Sequence, residues 1–229
     1  MRLFFSADVH GEWVRLYSNL SDDAVLFICG DAEPLRNEAD LELVPAPKKH
    51  LKLGDFQLFW ERKRMPVPTY VLLGNHEPFA WLQEYEERGP CELMENFWIL
   101  RRAGVVELCG CRIAYLSRIF SPTAYRRKPW KPTPDCKKSK LAGRFTERDV
   151  EALLDAVAEA GGADVLAMHD NPMFCEDPTG QEVFGMLVDL IRPELIVCGH
   201  MHRHTEGTFR GVPVVGLGKG EVWKAAMLL

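Results

Sequence analysis

Five apolar runs of strand length break off into residues able to bind a metal ion, and no other feature limits this chain as much. Ser6-Ala7 leads into Asp8-Val9-His10, Phe27-Ile28-Cys29 into Gly30-Asp31, and Val71-Leu72-Leu73 into Gly74-Asn75-His76-Glu77. Leu166-Ala167-Met168 leads into His169-Asp170, and Ile196-Val197-Cys198 into Gly199-His200-Met201-His202. Singly each motif is weak, because a histidine beside an apolar run is more often a core or loop residue. As a set they are not weak: of seven histidines, those at 10, 76, 169, 200 and 202 all fall at these ends. Ligands of open α/β sheets collect at the carboxyl ends of the strands, so residues distant in sequence can meet there.

Strands are expected over 3–7, 24–29, 69–73, 113–116, 165–168, 195–198 and 212–215, with helical patterns between several of them. The clearest helix covers 146–160, opening Thr146-Glu147-Arg148-Asp149 and closing on Gly161-Gly162. Alternating strands and helices predict an α/β fold with parallel or mixed sheet. The stretch 205–229 reads as hairpin strands, and Gly216-x-Gly218-x-Gly220 as turn glycines, since no helix pattern follows it. Cys109 and Cys111 around Gly110 read as a hairpin rather than half of a zinc knuckle, because no second pair follows. With 47% hydrophobic residues and no repeat, one domain over 1–229 is expected. Seven scattered cysteines, and no signal-length or membrane-length apolar run, point to a cytoplasmic protein with no membrane partner.

The net charge of −5 hides an uneven distribution. Between Arg126 and Arg144 eight basic residues face Asp135 alone, inside a proline-rich stretch, 121–143, expected to be a surface loop. Trp130 lies within it and Tyr125 just before, an interleaving that suits phosphate tracking and base stacking, although a merely solvated loop has the same composition. Phe79, Trp81 and Tyr85 at helical spacing read as core, and His204 as solvent-facing. His50 has no assignable role.

Hydrolysis of a phosphate ester needs charge neutralised on the phosphoryl oxygens and a strong nucleophile at neutral pH, and two metal ions supply both. Mixed imidazole and carboxylate donors suit Mn, Fe, Zn, Co or Ni better than Mg or Ca. Asp-x-His, Gly-Asp, Gly-Asn-His-Glu, His and Gly-His-x-His, in this order over residues 8–202, resemble the calcineurin-like metallophosphoesterases. The resemblance implies an αββα sandwich, two mixed β-sheets flanked by helices, with two divalent metals, Mn favoured. It implies that Asp8, His10 and His202 hold one metal, that Asn75, His169 and His200 hold the other, and that Asp31 bridges them. It further implies in-line attack by a metal-bridging hydroxide and His76 assisting the leaving group, with Glu77 and Asp170 as candidates either to orient imidazoles or to be solvated loop carboxylates.

Blocks between these motifs are similar to the catalytic domain of the RNA lariat-debranching enzymes. They are Arg36-Asn37-Glu38-Ala39-Asp40-Leu41, Val44-Pro45-Ala46-Pro47-Lys48-Lys49, Leu100 through Val106, Ile119-Phe120, Tyr125-Arg126 and His169-Asp170-x-Pro172. Where those enzymes carry Cys this chain has Asp8, and their longer insertion before the 146–160 helix and extra C-terminal domain look shortened or absent. The substrate expected is therefore a nucleic-acid or nucleotide phosphodiester, RNA or single strands included, with Arg36, Asn37, Tyr125 and Arg126 as contact candidates, a structural salt bridge being the alternative for Arg36 and Asn37. The alternatives are a phosphomonoesterase and a non-enzymatic nucleic-acid-binding scaffold. A protein phosphatase is disfavoured, because Gly30-Asp31-Ala32-Glu33-Pro34 lacks the Asp-Arg-Gly continuation of that branch.

Overall fold

The computed structural model describes residues 1–47, 51–131, 133 and 139–225. Lys48, Lys49 and His50, together with Lys137 and Lys138 of the basic stretch, lie outside the described residues.

Apolar side chains alternate along the strands between two destinations, and this builds three layers of core. In β2 (Ala24–Cys29), Val25, Phe27 and Cys29 enter one cluster, while Ala24, Leu26 and Ile28 enter another. β7 (Val165–Met168) and β8 (Leu195–Cys198) divide in the same way. A strand buried on both faces must lie inside a sheet covered on both sides.

The first sheet joins β1 (Arg2–Ser6), β2, β3 (Arg64–Leu72) and β4 (Cys91–Ile99) in parallel, with β11 (Val222–Lys224) antiparallel at the edge of β1. The second has the order β5 (Ala103–Leu108), β6 (Cys111–Leu116), β7, β8, β10 (Val212–Gly216) and β9 (Thr205–Phe209), and its two edge strands are antiparallel. Phe5, Phe27, Leu72, Ile113, Tyr115 and Val197 fill the space between the sheets. On the outer face of the first sheet Trp13 of α1 (Trp13–Tyr17), Phe59 of α3 (Gln57–Arg62) and Leu82 of α4 (Phe79–Arg88) pack in one cluster. On the outer face of the second, Leu153 of α6 (Glu147–Ala160) and Leu187 of α7 (Pro178–Ile191) do the same. The short helices α2 (Glu38–Leu41) and α5 (Pro122–Tyr125) lie in connections. This is the αββα sandwich, two mixed β-sheets flanked by helices, that the sequence resemblance implies.

Differences from the sequence expectation lie at the edges. β4 and β5 were not among the expected strands; β4 is an edge strand carrying Glu92, Glu95 and Asn96, which mask the period of two. Thr205–Phe209 and Val212–Gly216 form a hairpin as expected, but Val222–Lys224 crosses to the other sheet and pairs with β1. The stretch 121–143 is helical at both ends, in α5 and a 3-10 turn at Lys140–Gly143. Thr146 is the N-cap of α6, joined to Asp149 in a capping box, and Gly161 ends the helix at φ 72°.

Candidate metal centre

Because β1, β2, β3, β7 and β8 run the same way within their sheets, their carboxyl ends share one edge of the sandwich. The loops leaving them are joined there: Asp8 N donates to Gly30 O, His10 N to Asp31 O and Gly199 N to His169 O. Three of these ends turn in the same unusual manner. Asp8 and His10 after β1, Asp31 and Glu33 after β2, and His200 and His202 after β8 all have positive φ, between 46° and 70°. L-residues avoid this region, and such strain gathers at functional sites. Gly30 (φ 86°) allows one close approach, since a Cβ there would lie 2.5 Å from His169 Nδ1; Gly74 allows another, 2.1 Å from Asp31 Oδ1.

Two groups of donor atoms result. In the first, His10 Nε2 and His202 Nε2 are 3.0 Å apart, and Asp8 Oδ1 lies 3.3 Å from His202 Nε2 and 4.0 Å from His10 Nε2. In the second, His169 Nε2 lies 3.0 Å from Asn75 Oδ1 and 3.3 Å from Asp31 Oδ1, with the His200 ring centroid 5.2 Å from that of His169. Asp31 belongs to both, for one ligand atom from each of Asp8, His10, Asp31 and His202 lies within 4.8 Å of the others.

The geometry fits a metal. Ligand atoms about 2.1 Å from one ion lie about 3.0–3.4 Å apart at octahedral or tetrahedral angles. Asp8 Oδ1 is fully buried without a hydrogen-bond partner, a costly arrangement for a carboxylate unless a cation faces it. Two imidazoles are also held with Nε2 turned towards the other candidate ligands: His10 Nδ1 donates to Glu33 Oε1 at 2.9 Å and His169 Nδ1 to Cys29 O at 2.8 Å. Burial alone would raise the Asp31 carboxyl, but the imidazoles around it, His169 first, hold it well below the carboxylate range. Burial likewise opposes a charged His169, and Asp31 outweighs it, placing that ring at about 10; burial, then His169, pushes His200 down to about 4.

Glu77 and Asp170 do not orient imidazoles, contrary to the first of their two expected roles. Glu77 accepts from the backbone N–H groups of Ala32, Glu33 and Gly74, and burial followed by Asp31 raises its carboxyl to about 8. Asp170 accepts from Phe120 N and Asn171 N. Both tie loops together, since a carboxylate after a strand end finds backbone donors nearer than a ring. The imidazole-orienting side chain is Glu33, not singled out from sequence, although Asp31-x-Glu33 repeats the spacing of Asp8-x-His10 and His200-x-His202.

His76 is half-buried, its Nδ1 4.0 Å from Asp31 Oδ2, and burial lowers its pKa. It lines a cavity of about 420 Å³ with His10, Asp31, Asn75, His200, His202 and two residues unmarked by sequence, Lys52 and Lys219. A larger cavity, about 580 Å³, between α4, β5 and α6 contains none of these residues.

The contact candidates fare differently. Tyr125 is a core residue, 7% exposed and packed on Phe120 and Phe145, so its place there is structural. Arg36 pairs with Asp40 and lies 4.2 Å from the Trp81 ring centroid; Asn37 caps α2. Arg126 is exposed. Phe79 is buried as expected, and exposed His204 is held between Glu221 and Glu206.

Residues 1–204 match the family model described as calcineurin-like phosphoesterase, and the chain belongs to that family, a class of metal-dependent phosphoesterases. Among curated proteins, the human lariat debranching enzyme is 31% identical over 160 residues, covering 66% of this chain and 29% of that protein. The Entamoeba histolytica lariat debranching enzyme is 25% identical over 240 residues, covering 92% of this chain and 66% of that protein. The chain thus spans under a third of the length of the human protein. Among solved structures, the Plasmodium inner-membrane-complex anchor has a TM-score of 0.52 at 13% identity, covering 96% of this chain and 72% of that one; it shares the fold. No helix among the described residues is long and apolar enough to cross a membrane.

Proposed function

We propose that the chain is a phosphodiesterase acting on nucleic-acid phosphodiesters, with two divalent cations, one at Asp8, His10 and His202, the other at Asn75, His169 and His200, and Asp31 shared. The observation that carries this reading is the pair of donor groups converging on Asp31, one of them containing the orphaned Asp8 oxygen. When bound, such cations neutralise phosphoryl oxygens and lower the pKa of a water enough to make it a nucleophile near neutral pH. Glu33 and the Cys29 carbonyl keep His10 and His169 in the tautomer that presents Nε2. His76, on the cavity wall, donates a hydrogen bond or a proton to the departing alcohol.

The mixed nitrogen and oxygen donors suit Mn, Fe, Zn, Co or Ni better than Mg or Ca, and Mn is the first metal to load. A branched or 2′,5′-linked RNA is the first substrate to try, supported by the human and Entamoeba relatives. A cytoplasmic setting is supported by the free thiols of all six described cysteines.

The test is metal analysis after loading with Mn²⁺ or Zn²⁺, followed by turnover of bis- and mono-p-nitrophenyl phosphate and of branched, 2′,5′-linked and linear RNA. Two equivalents of metal and a preference for the diester are expected. Fewer than about one bound equivalent sinks the two-metal reading, and a preference for the monoester moves the chain to the phosphomonoesterases. His76→Ala should lose more turnover on a poor leaving group than on an aryl diester; full activity on both removes its role.

A further inference from the structure

Two lysines stand on the wall of the metal-site cavity, and the reaction proposed above leaves them without a task. Both hang from the segment that follows His10. Lys219 Nζ is 2.7 Å from Glu12 Oε1, and the turn bearing it is fixed by Gly220 N donating to Ala7 O at 2.9 Å and Gly218 N to Glu221 Oε2 at 2.7 Å. Lys52 sits on a loop seated on Gly11: Asp55 N donates to Gly11 O at 2.9 Å, and the Asp55 carboxylate accepts from Trp13 N at 2.7 Å. Lys52 has no ion pair among the described residues.

A scissile diester carries one negative charge, and the candidate metal ligands already converge where it would sit. A further anion on the same wall would meet Lys52, unpaired among the described residues, and, beside it, Lys219 with Glu12 as its partner. An ammonium offers three donors in no fixed plane; Glu12 takes one from Lys219 and leaves two unused by that contact, which suits phosphate oxygens presented at varying angles.

We propose that Lys52 and Lys219 form a subsite for a second phosphate group adjoining the scissile one, so that the substrate is a chain or terminus carrying more than one phosphate. This rests on the phosphodiesterase reading and concerns the same cavity. The ligand chemistry is a phosphate; its source is either the next internal diester of a polynucleotide or a terminal monophosphate.

The experiment uses metal-loaded enzyme and three substrates: a dinucleotide with one diester, the same dinucleotide with a 5′-phosphate, and a trinucleotide. The added phosphate should raise kcat/KM about tenfold in the wild type, and Lys52→Ala with Lys219→Ala should abolish that gain through KM, while Lys→Arg at both positions keeps it. A gain from the 5′-phosphate alone assigns a terminus, and a gain from the trinucleotide assigns an internal chain. Binding of a trinucleotide with a bridging-methylene phosphonate at the scissile position should weaken in the double alanine variant, with its salt slope reduced by about 0.7 in total, the loss of one phosphate contact. Equal losses on all three substrates, or an unchanged salt slope, overturn the subsite. Absence of any cleavage by the wild type is a failure of the phosphodiesterase reading instead, and the binding arm still decides the lysines.

Discussion

The two halves of the candidate metal centre are built from different materials. Asp8, His10 and His202 all stand on left-handed turns, and the His202 side chain is 47% exposed. Asn75 and His169 leave β3 and β7 without such turns, and His169 is fully buried; in this half only His200 has a positive φ. In the first half His10 is oriented by a side chain, Glu33, and in the second His169 by a backbone carbonyl, Cys29 O. Glu77 ties the Asn75 loop, through Gly74 N, to the loop after β2, through Ala32 N and Glu33 N, and the His169 loop is tied down separately through Asp170, which holds Phe120 N. Left-handed residues cost on the order of 1 kcal/mol each, so the first half carries backbone strain together with the more exposed candidate ligand, His202. The lesson is that the first half should load and exchange its metal more readily, and that the second should behave as fixed scaffold.

Asp31 is where that contrast meets, so its loss should have the largest effect. Its Oδ1 accepts from both Asn75 N and His76 N at 2.7 Å while facing His169 Nε2 at 3.3 Å. Asp31→Asn removes the shared charge, and both equivalents of metal should weaken together, with diester turnover falling on the order of a thousandfold. Metal content after dialysis, read beside turnover, checks this. One equivalent kept at wild-type affinity would show that the halves do not share the residue.

Next in size is Glu33→Ala. It takes the acceptor from His10 Nδ1–H and leaves that ring free to turn. Affinity at the first half should fall about 10–100-fold, the usual effect of removing a group that orients a metal-binding imidazole, with the second half unchanged. A two-step competition against a chromophoric chelator resolves the two. Glu33→Gln, which keeps an acceptor oxygen, should lie between. Equal weakening of both halves would break the comparison.

These two residues also mark how far the sequence could be read. Asp31 was legible because it ends an apolar run as Gly-Asp, one of five such ends, and the same logic located the carboxyl ends of β1, β2, β3, β7 and β8 to within one residue, although β3 begins five residues before the expected strand. That logic depends on strands buried on both faces, where the apolar signal is continuous. It fails at β4 and β5, whose outer edges face water and carry charge. Glu33 was passed over because its neighbour Pro34 and the missing Asp-Arg-Gly pattern suggested only what the segment was not. Its role depends on a backbone turn that propensity does not encode. Lys52 and Lys219 could not be found at all from spacing, since both reach the cavity through tertiary contacts with residues 11–13. Tyr125 erred in the other direction: an aromatic beside a basic stretch looks like a stacking surface, yet Phe120, Phe145 and Phe184 were available to bury it.

The smallest effect is expected at Cys29, and it tests the second half of the comparison from the opposite side. The thiol is fully buried between the sheets, and burial raises its pKa well above that of a free cysteine, so it carries no charge near the metal residues. What His169 uses is the carbonyl of this residue, which any side chain at position 29 would leave in place. Cys29→Ala should therefore keep both metal equivalents and diester turnover within about twofold, and cost about 1 kcal/mol of stability from lost packing, read in a denaturant melt. Selective loss of the second metal would mean that the thiol positions His169 after all. Retention beside a damaged Glu33→Ala would show why the two halves tolerate change so differently: a side-chain acceptor can be deleted by one substitution, whereas an acceptor supplied by a central strand persists as long as the strand does.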